Sequence, residues 1–344
     1  MIGETSFSIV VPCYNYAHYL KACVDSILSQ GVKVQVIVID DCSSDDTPTV
    51  GATLAKDPRV TFLRHETNQG HIKTYNEGLA LATGNYTALI SSDDLLTPGA
   101  LKRAQAVLDT HPEVGMVYGH SLYFQSNDDL PKARTGEPRL DIWNGQNWIA
   151  QRCRTATSCI SSPEVVVRTS LQRQLGGYRA DLPHAGDLEM WLRFAAHAAV
   201  AYLAGVDQAY YRRHVASMHA TKFNTTLADL TQRRAAFDAV FDMHGTKIRN
   251  LEELRRTAHR ALAKKALWIA CRSYDRRRLD SVSVDDLEAF AQETYPDVRS
   301  LPEYWGLRWR RRLGPRWPPF LQPFLPSGKS IQAHKNDVLA PQLP

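Results

Sequence analysis

The chain has 344 residues, a length that suits one large domain or a domain with an appendage. Apolar residues make up 44% and charged residues 22%, which predicts a folded chain with a sizeable core and excludes global disorder. The net charge of +5 is small and concentrated at Arg308, Arg310, Arg311, Arg312 and Arg316, so no basic stripe along the body points to nucleic acid.

Phe7 to Pro12 reads as a short buried strand. A helix follows, with Leu20, Cys23, Val24, Ile27 and Leu28 on one face, and Gly31 closes it. Val34 to Ile39 is a continuous apolar run, the mark of a strand covered on both faces. Asp40 to Asp46 forms a polar turn, and Thr47-Pro48 opens the next helix. Val60 to Leu63 is a third strand. Ile72, Tyr75, Leu79 and Ala80 mark a helix that Gly84 terminates. Tyr86 to Ile90 is a fourth strand, running into Ser91-Ser92-Asp93-Asp94. Thr97-Pro98 is the expected N-cap and first turn of a helix ending near His111-Pro112, and Val114 to Tyr118 is another strand.

Alternating strands and helices over about 120 residues predict βαβ units and a mostly parallel sheet with helices on both faces. Ligands of such sheets bind beyond the carboxyl ends of the strands. Here those ends carry Pro12 to Asn15, Asp40-Asp41 and Ser92-Asp93-Asp94, so three polar clusters should meet on one rim.

Beyond this half the pattern thins. Asn127 to Pro138 is polar and predicts a loop, and Gly186 to Ala198 predicts a helix. The pattern is helical from about 224 to 274 and again from Val284 to Glu293, whereas the Pro-, Trp- and Arg-rich last 45 residues are not read as helix. The six cysteines form no CxxC pair and no zinc spacing, which suits a reducing cytoplasm. No N-terminal basic and apolar leader is present and no apolar run reaches roughly 18 residues, so a cytoplasmic location is expected.

Adjacent carboxylates such as Asp93 and Asp94 at a strand end can hold a hard divalent cation, which takes one or two protein carboxylates and fills its other sites with phosphate and water. Alone the pair reads as a solvated loop with Asp94 capping the next turn; the rim setting opposite Asp40-Asp41 favours the cation. A carboxylate at Asp40 or Asp41 can accept from a base N–H or a ribose hydroxyl, or close an Asx-type turn.

The runs Val10 to Asn15, Val38 to Thr47, Asn68-Gln69-Gly70, Asn76-Glu77-Gly78, Ala82-Thr83-Gly84 and Ser92-Asp93-Asp94 resemble family 2 glycosyltransferases in order and spacing over residues 7–120. That resemblance implies an α/β GT-A (Rossmann-like) sheet flanked by helices, with a C-terminal helical extension here. It implies inverting, single-displacement transfer of a sugar from a nucleotide-diphosphate sugar, UDP by family habit, to an acceptor hydroxyl. Such a reaction serves polysaccharide, glycolipid or glycoconjugate synthesis, so the acceptor is a saccharide or lipid-linked. By the same likeness Pro12, Tyr14, Asp40 and Asp41 contact the nucleoside. Asn15, Asn68, Gly70, Lys73, Asn76, Ser92 and Asp93 complete the nucleotide-sugar site, and Asp93 and Asp94 hold Mg²⁺ or Mn²⁺. Many members carry an acid two places before the acidic pair, where this chain has Ser91.

His184 to Arg193 resembles the family's acidic motif at a helix start, where an aspartate takes the acceptor's proton; Asp187 matches it, and Gly186 replaces an acid often found before it. Inversion needs a base on the face opposite the leaving group, and burial can raise a carboxyl pKa toward working pH. Asp187 could also be an N-cap or a first-turn residue. Glu189 is the rival base, pointing to another helix face. Tyr211 to Ser217 resembles a late segment in which a His or Arg reaches the diphosphate or metal, which marks His214 and the neighbouring arginines.

The expected organisation is a GT-A domain over 1–222 (nucleotide-sugar half to about 120, acceptor half beyond), a helical extension over 223–298 and a tail over 299–344. In that tail Trp305, Trp309 and Trp317 interleave with arginines ahead of Phe320, Phe324 and Leu325, which suits peripheral membrane contact through 305–325 or packing onto the body. Two other readings compete. A nucleotidyltransferase would carry a Gly-rich basic loop where this chain has Tyr14-Asn15-Tyr16. An inactive scaffold would shed its acids, yet Asp40, Asp41, Asp93, Asp94 and Asp187 are all present.

Overall fold

The computed structural model describes residues 5–214, 226–276 and 283–314. The chain divides into two compact units, Met1–Trp148 with Ile160–Ser217, and Ile149–Cys159 with Met218–Pro344.

The first unit is built on a nine-stranded sheet. Its centre is β1 (Ser6–Cys13), with β2 (Lys33–Asp40), β3 (Val60–Arg64) and β4 (Tyr86–Leu89), all joined in parallel. Phe7, Ile9, Val10 and Val11 are fully buried, as are Val36, Ile37, Val38 and Ile39, which is why both strands read as continuous apolar runs. The sheet continues through β8 (Val165–Arg168), β6 (Val114–Phe124), β9 (Ala199–Arg212) and the two-residue β5 (Leu95–Leu96), and β7 (Arg139–Trp143) pairs with β9. Strands β4 and β8 are antiparallel, as are β6 and β8, whereas β6 and β9 run parallel.

Crossover helices cover the sheet: α1 (Ala17–Leu28), α2 (Thr47–Leu54), α3 (His71–Leu81) and α4 (Ala100–Thr110). Helix α1 buries Leu20, Cys23, Val24 and Ile27, the stripe seen in the sequence. Two boundaries differ from expectation. Helix α4 starts at Ala100 with Gly99 as N-cap, not at Thr97, because the Thr97 hydroxyl donates to the Asp207 carbonyl instead (2.5 Å). Helix α3 ends at Leu81 with Ala82 as C-cap, so Gly84 does not terminate it. Gly84 is required by close approach: a Cβ there would lie 2.6 Å from the Phe7 carbonyl carbon and 2.8 Å from the Ser8 nitrogen.

The stretch 125–180, unread in the sequence beyond its loop, contains β7, α5 (Gly145–Thr155), β8 and α6 (Thr169–Leu175); α7 (Gly186–His197) follows. The second unit adds α8 (Thr226–His244), α9 (Leu251–Asp275), α10 (Val284–Thr294) and α11 (Pro302–Leu313). Helix α11 corrects the non-helical reading of the last 45 residues. Tail residues from 315 on, Trp317, Phe320, Phe324 and Leu325 included, lie outside the described residues. Within α11 the packing reverses the simple expectation for a Trp/Arg segment. Arg310 is fully buried and grips Asp275 with Nε and Nη2 at 2.9 and 3.2 Å, while Trp305 and Trp309 stay half exposed. Among the described residues no helix is long and apolar enough to cross a membrane, and all six cysteines are reduced.

Candidate active site

The carboxyl ends of β1 and β2 are tied into one frame. Asn15 adopts φ 58°, a left-handed conformation that Asn tolerates, and its side-chain oxygen accepts from the Ser44 amide (2.8 Å). In return the Asn15 amide donates to the Ser43 hydroxyl (2.8 Å), and Asp45 accepts from the Ala17 amide (2.9 Å). The Asp40 carboxylate is buried, accepts from the Ser43 amide (2.9 Å) and faces Arg64 Nε at 3.3 Å. Asp40 is thus the turn-forming member of the pair. Pro12 is partly buried, and the Tyr14 ring stands 49% exposed at the end of β1.

Asp41 is committed as well. One of its oxygens lies 2.7 Å from His65 Nδ1 and accepts from the Gln69 amide (2.7 Å), and the other accepts from the Gly70 amide (2.9 Å). Its carbonyl accepts from the Asn68 side chain (3.1 Å). His65 Nε2 lies 2.9 Å from Glu77. Burial alone would lower the His65 pKa, but the hydrogen bonds to Asp41 and Glu77 outweigh it and raise it, so the imidazolium is favoured as the counter-charge. Asp41 and Asn68 therefore shape the loop that leads into α3. Gly70 sits at φ 85° with open space where a Cβ would project, and Lys73 is exposed on α3.

The strand β4 delivers the acidic pair. The Asp94 amide closes a turn onto the Ser91 carbonyl (2.9 Å), so the position where an acid is common takes part through its backbone. Asp94 is buried and one of its oxygens accepts from the Arg212 amide (2.8 Å). Burial first, and the neighbouring charge of Asp93 second, push its pKa well above the usual carboxylate range. The Asp93 carboxylate lies 2.9 Å from His214 Nε2, which is 3.4 Å from the Tyr16 hydroxyl. Ser92 is also buried. Arg212, marked in the sequence as a possible phosphate partner, is instead structural. It is buried between the rings of Tyr19 (4.1 Å) and Phe124 (4.2 Å), and it donates to the carbonyls of Asp93 and Gln125. Arg213 stacks on Tyr123 at 3.8 Å.

Asp187 lies in the first turn of α7, whose N-cap is Ala185, so it is not itself the cap. Its two oxygens accept from the Ser162 hydroxyl (2.8 Å) and the Tyr178 hydroxyl (2.9 Å). Burial raises its pKa, and the two hydroxyl donors offset that only in part. The rival Glu189 is buried and locked in a two-pronged pair with Arg193 (2.9 Å to each nitrogen), which also ties the carbonyls of Leu175 and Gly177. A side chain at position 186 would begin 3.1 Å from the Tyr178 ring, which accounts for glycine where an acid is common.

These carboxylates share one neighbourhood. The phenols of Tyr75 and Tyr211 are both raised, by burial first and then by Asp187, Asp93 and Asp94 together. The Asp41 loop reaches the same region through His71, whose Nε2 lies 3.0 Å from the Pro183 carbonyl just ahead of α7. Asn76 does not face this space: its amide group bonds both the Tyr178 carbonyl (2.8 Å) and the Tyr178 amide (2.7 Å), so it places the tyrosine that holds Asp187. Sequence reading missed Ser162, Tyr178, Tyr75 and Tyr16. Nothing in their local pattern marks them, because each acts through a partner distant along the chain.

The donor set fits a hard cation completed by phosphate oxygens: Asp93 and His214 adjoin, and Asp94 adds a second carboxylate whose charge is unfavourably buried. Among the described residues no group of three His, Cys, Asp or Glu side chains could hold a metal alone.

Residues 8–162 match the family model described as Glycosyl transferase family 2. The chain is 29% identical over 237 residues to an uncharacterized protein of Mycobacterium tuberculosis (strain CDC 1551 / Oshkosh), covering 66% of this chain and 73% of the relative. Three further curated relatives are spanned over 20%, 28% and 42% of their length. The fold is that of S. aureus TarS 1-349, solved in complex with UDP-GlcNAc, at TM-score 0.63 and 18% identity over 90% of this chain and 88% of that one. It is also that of the mannosyltransferase PcManGT from Pyrobaculum calidifontis, solved with GDP-Man and Mn2+, at TM-score 0.54 and 17% identity over 93% and 84%.

Proposed function

We propose that this chain, which matches the family 2 glycosyltransferase model over residues 8–162, moves a sugar from a nucleotide-diphosphate sugar to an acceptor hydroxyl with inversion at the anomeric carbon. The observation that carries the reading is Asp187. It is a partly buried carboxylate whose pKa burial raises, held by the hydroxyls of Ser162 and Tyr178, and it shares the Tyr75–Tyr211 neighbourhood with the acidic pair.

In this mechanism Asp187 takes the proton from the acceptor hydroxyl as its oxygen attacks the anomeric carbon, and the bond from that carbon to the diphosphate oxygen breaks. Ser162 and Tyr178 orient the carboxylate so that a lone pair faces the acceptor. Asp93, His214 and Asp94 would hold Mg²⁺ or Mn²⁺, which would supply positive charge to neutralise the departing diphosphate. Tyr14 and Lys73 extend toward the nucleotide, and the Asn15, Asp40, Asp41, Asn68 and Gly70 frame fixes the shape of its cradle. UDP-sugars are the proposed donors and a saccharide or lipid-linked saccharide is the proposed acceptor.

The test is a panel of UDP-, dTDP- and GDP-sugars assayed for binding and slow hydrolysis with Mg²⁺ or Mn²⁺. At least one donor should bind and release its nucleotide, and excess chelator or Asp93→Ala should weaken that binding roughly ten-fold or more. Absence of any donor binding would refute the transferase reading, and undiminished binding in chelator would refute the metal assignment alone.

A further inference from the structure

One face of α11 is built unlike the rest of the helical unit. Glu303, Tyr304, Gly306, Leu307 and Arg310 turn inward and are buried. On the opposite side Trp305, Trp309 and Leu313 are 52%, 50% and 44% exposed. Their four-residue spacing stacks them along one side of the helix. Arg308 and Arg312 are exposed beside them. The only acid in α11, Glu303, is buried, so the outward face carries no negative charge. The acids of α10 are drawn to its flank: Arg311 holds Asp285 (2.5 Å) and Glu288 (2.8 Å), Arg308 reaches Glu288 only at 4.0 Å, and among the described residues Arg312 has no acidic partner.

Two half-exposed tryptophans and a leucine in line are an exposed apolar patch, a feature that marks a contact surface. The bordering charges choose the kind of contact. A second copy using the same face would set arginine against arginine across a self-complementary interface, which is repulsive. A layer of anionic headgroups instead offers phosphate to the guanidinium groups and an apolar boundary to the indoles, whose amphipathic rings favour that depth. Trp305 is already oriented, its indole N–H donating to the Arg299 carbonyl (2.9 Å). We propose that the Trp305–Trp309–Leu313 face of α11, with Arg308 and Arg312, docks the protein on an anionic lipid surface. This docking is independent of the proposed reaction.

The experiment is sedimentation of the full chain with vesicles of phosphatidylcholine alone or mixed with phosphatidylglycerol, with sedimentation velocity run on the same samples. The wild type should bind the anionic vesicles, lose them at high salt and ignore the neutral ones. Arg308→Gln with Arg312→Gln should weaken binding about 30-fold, and Trp305→Ala with Trp309→Ala roughly ten-fold or more. Thermal unfolding of the arginine variant should match the wild type, and the tryptophan variant, which loses half-buried rings and the Trp305–Arg299 hydrogen bond, should still unfold cooperatively above the assay temperature. No vesicle binding by the wild type, equal binding to neutral vesicles, or unchanged binding of both variants would each overturn the proposal. Self-association abolished by the tryptophan changes, without vesicle binding, would assign the face to a second copy instead.

Discussion

The Asp41 loop and the Asp187 site, linked through the contact of His71 with the Pro183 carbonyl, spend a carboxylate in different ways. Asp41 faces two backbone amides and a histidine, donors that the fold fixes in place. Asp187 faces two side-chain hydroxyls, donors that rotate and can be shared with a ligand. A carboxylate ringed by amides and a favoured imidazolium serves as a structural clamp, whereas one held by hydroxyls in a low-dielectric setting stays available to accept a proton. Proximity in the site therefore does not assign a role; the kind of donor does.

The sharpest way to break this comparison is Asp187→Asn. Loss of the base should lower kcat by about 10²–10⁴-fold with thermal stability nearly unchanged; a variant within a few-fold of wild type would remove Asp187 from the chemistry. Next comes Asp41→Asn, where the effect should appear in stability. Weakened pairing with two amides and His65 should cost about 1–3 kcal/mol in denaturant unfolding. If Asp41→Asn left stability intact while Asp187→Asn unfolded the protein, the two roles would be reversed.

The smallest and most discriminating effect is that of Tyr178→Phe. The Tyr178 hydroxyl favours the ionised Asp187, so its removal should move the acid limb of the kcat/KM profile to higher pH with little loss at the plateau. The sign follows from burial: the folded-state pKa of Asp187 is raised, so base function is lost as pH falls through that raised value. The same group makes the fold less stable as pH rises from the ordinary carboxylate range through the raised value. His71, His184, Tyr75, Tyr211, Asp93 and Asp94 also act on this region and belong in the same titration. An unmoved acid limb would show that Tyr178 does not tune the base.

The α/β sheet was legible because β1 and β2 are mostly apolar and α1 shows a clean buried stripe. The acidic pair and Asp187 stood out in the sequence only by their likeness to family motifs. The roles of Asp41 and Asn76 were not, since both depend on which backbone groups happen to face them. Tyr178 lies nine residues from Asp187, and Ser162 lies twenty-five away, spacings that no helix or strand period links. Strands β5, β7 and β8 are two, five and four residues long, and they are held by pairing with distant partners more than by any pattern of their own. Helix α11 escaped notice because its Trp and Arg content masks the periodicity that burial of Tyr304, Leu307 and Arg310 restores.

The guanidinium of Arg212 has one more implication. It seizes the carbonyl of Asp93 and leaves that residue's carboxylate alone, while Tyr19 and Phe124 sandwich it from above and below. The main chain at this corner is thus pinned separately from the reactive side group. Position 93 behaves like a socket whose fitting can be exchanged without shifting the wall, so under the proposed metal role it is the natural place to retune cation preference by substitution.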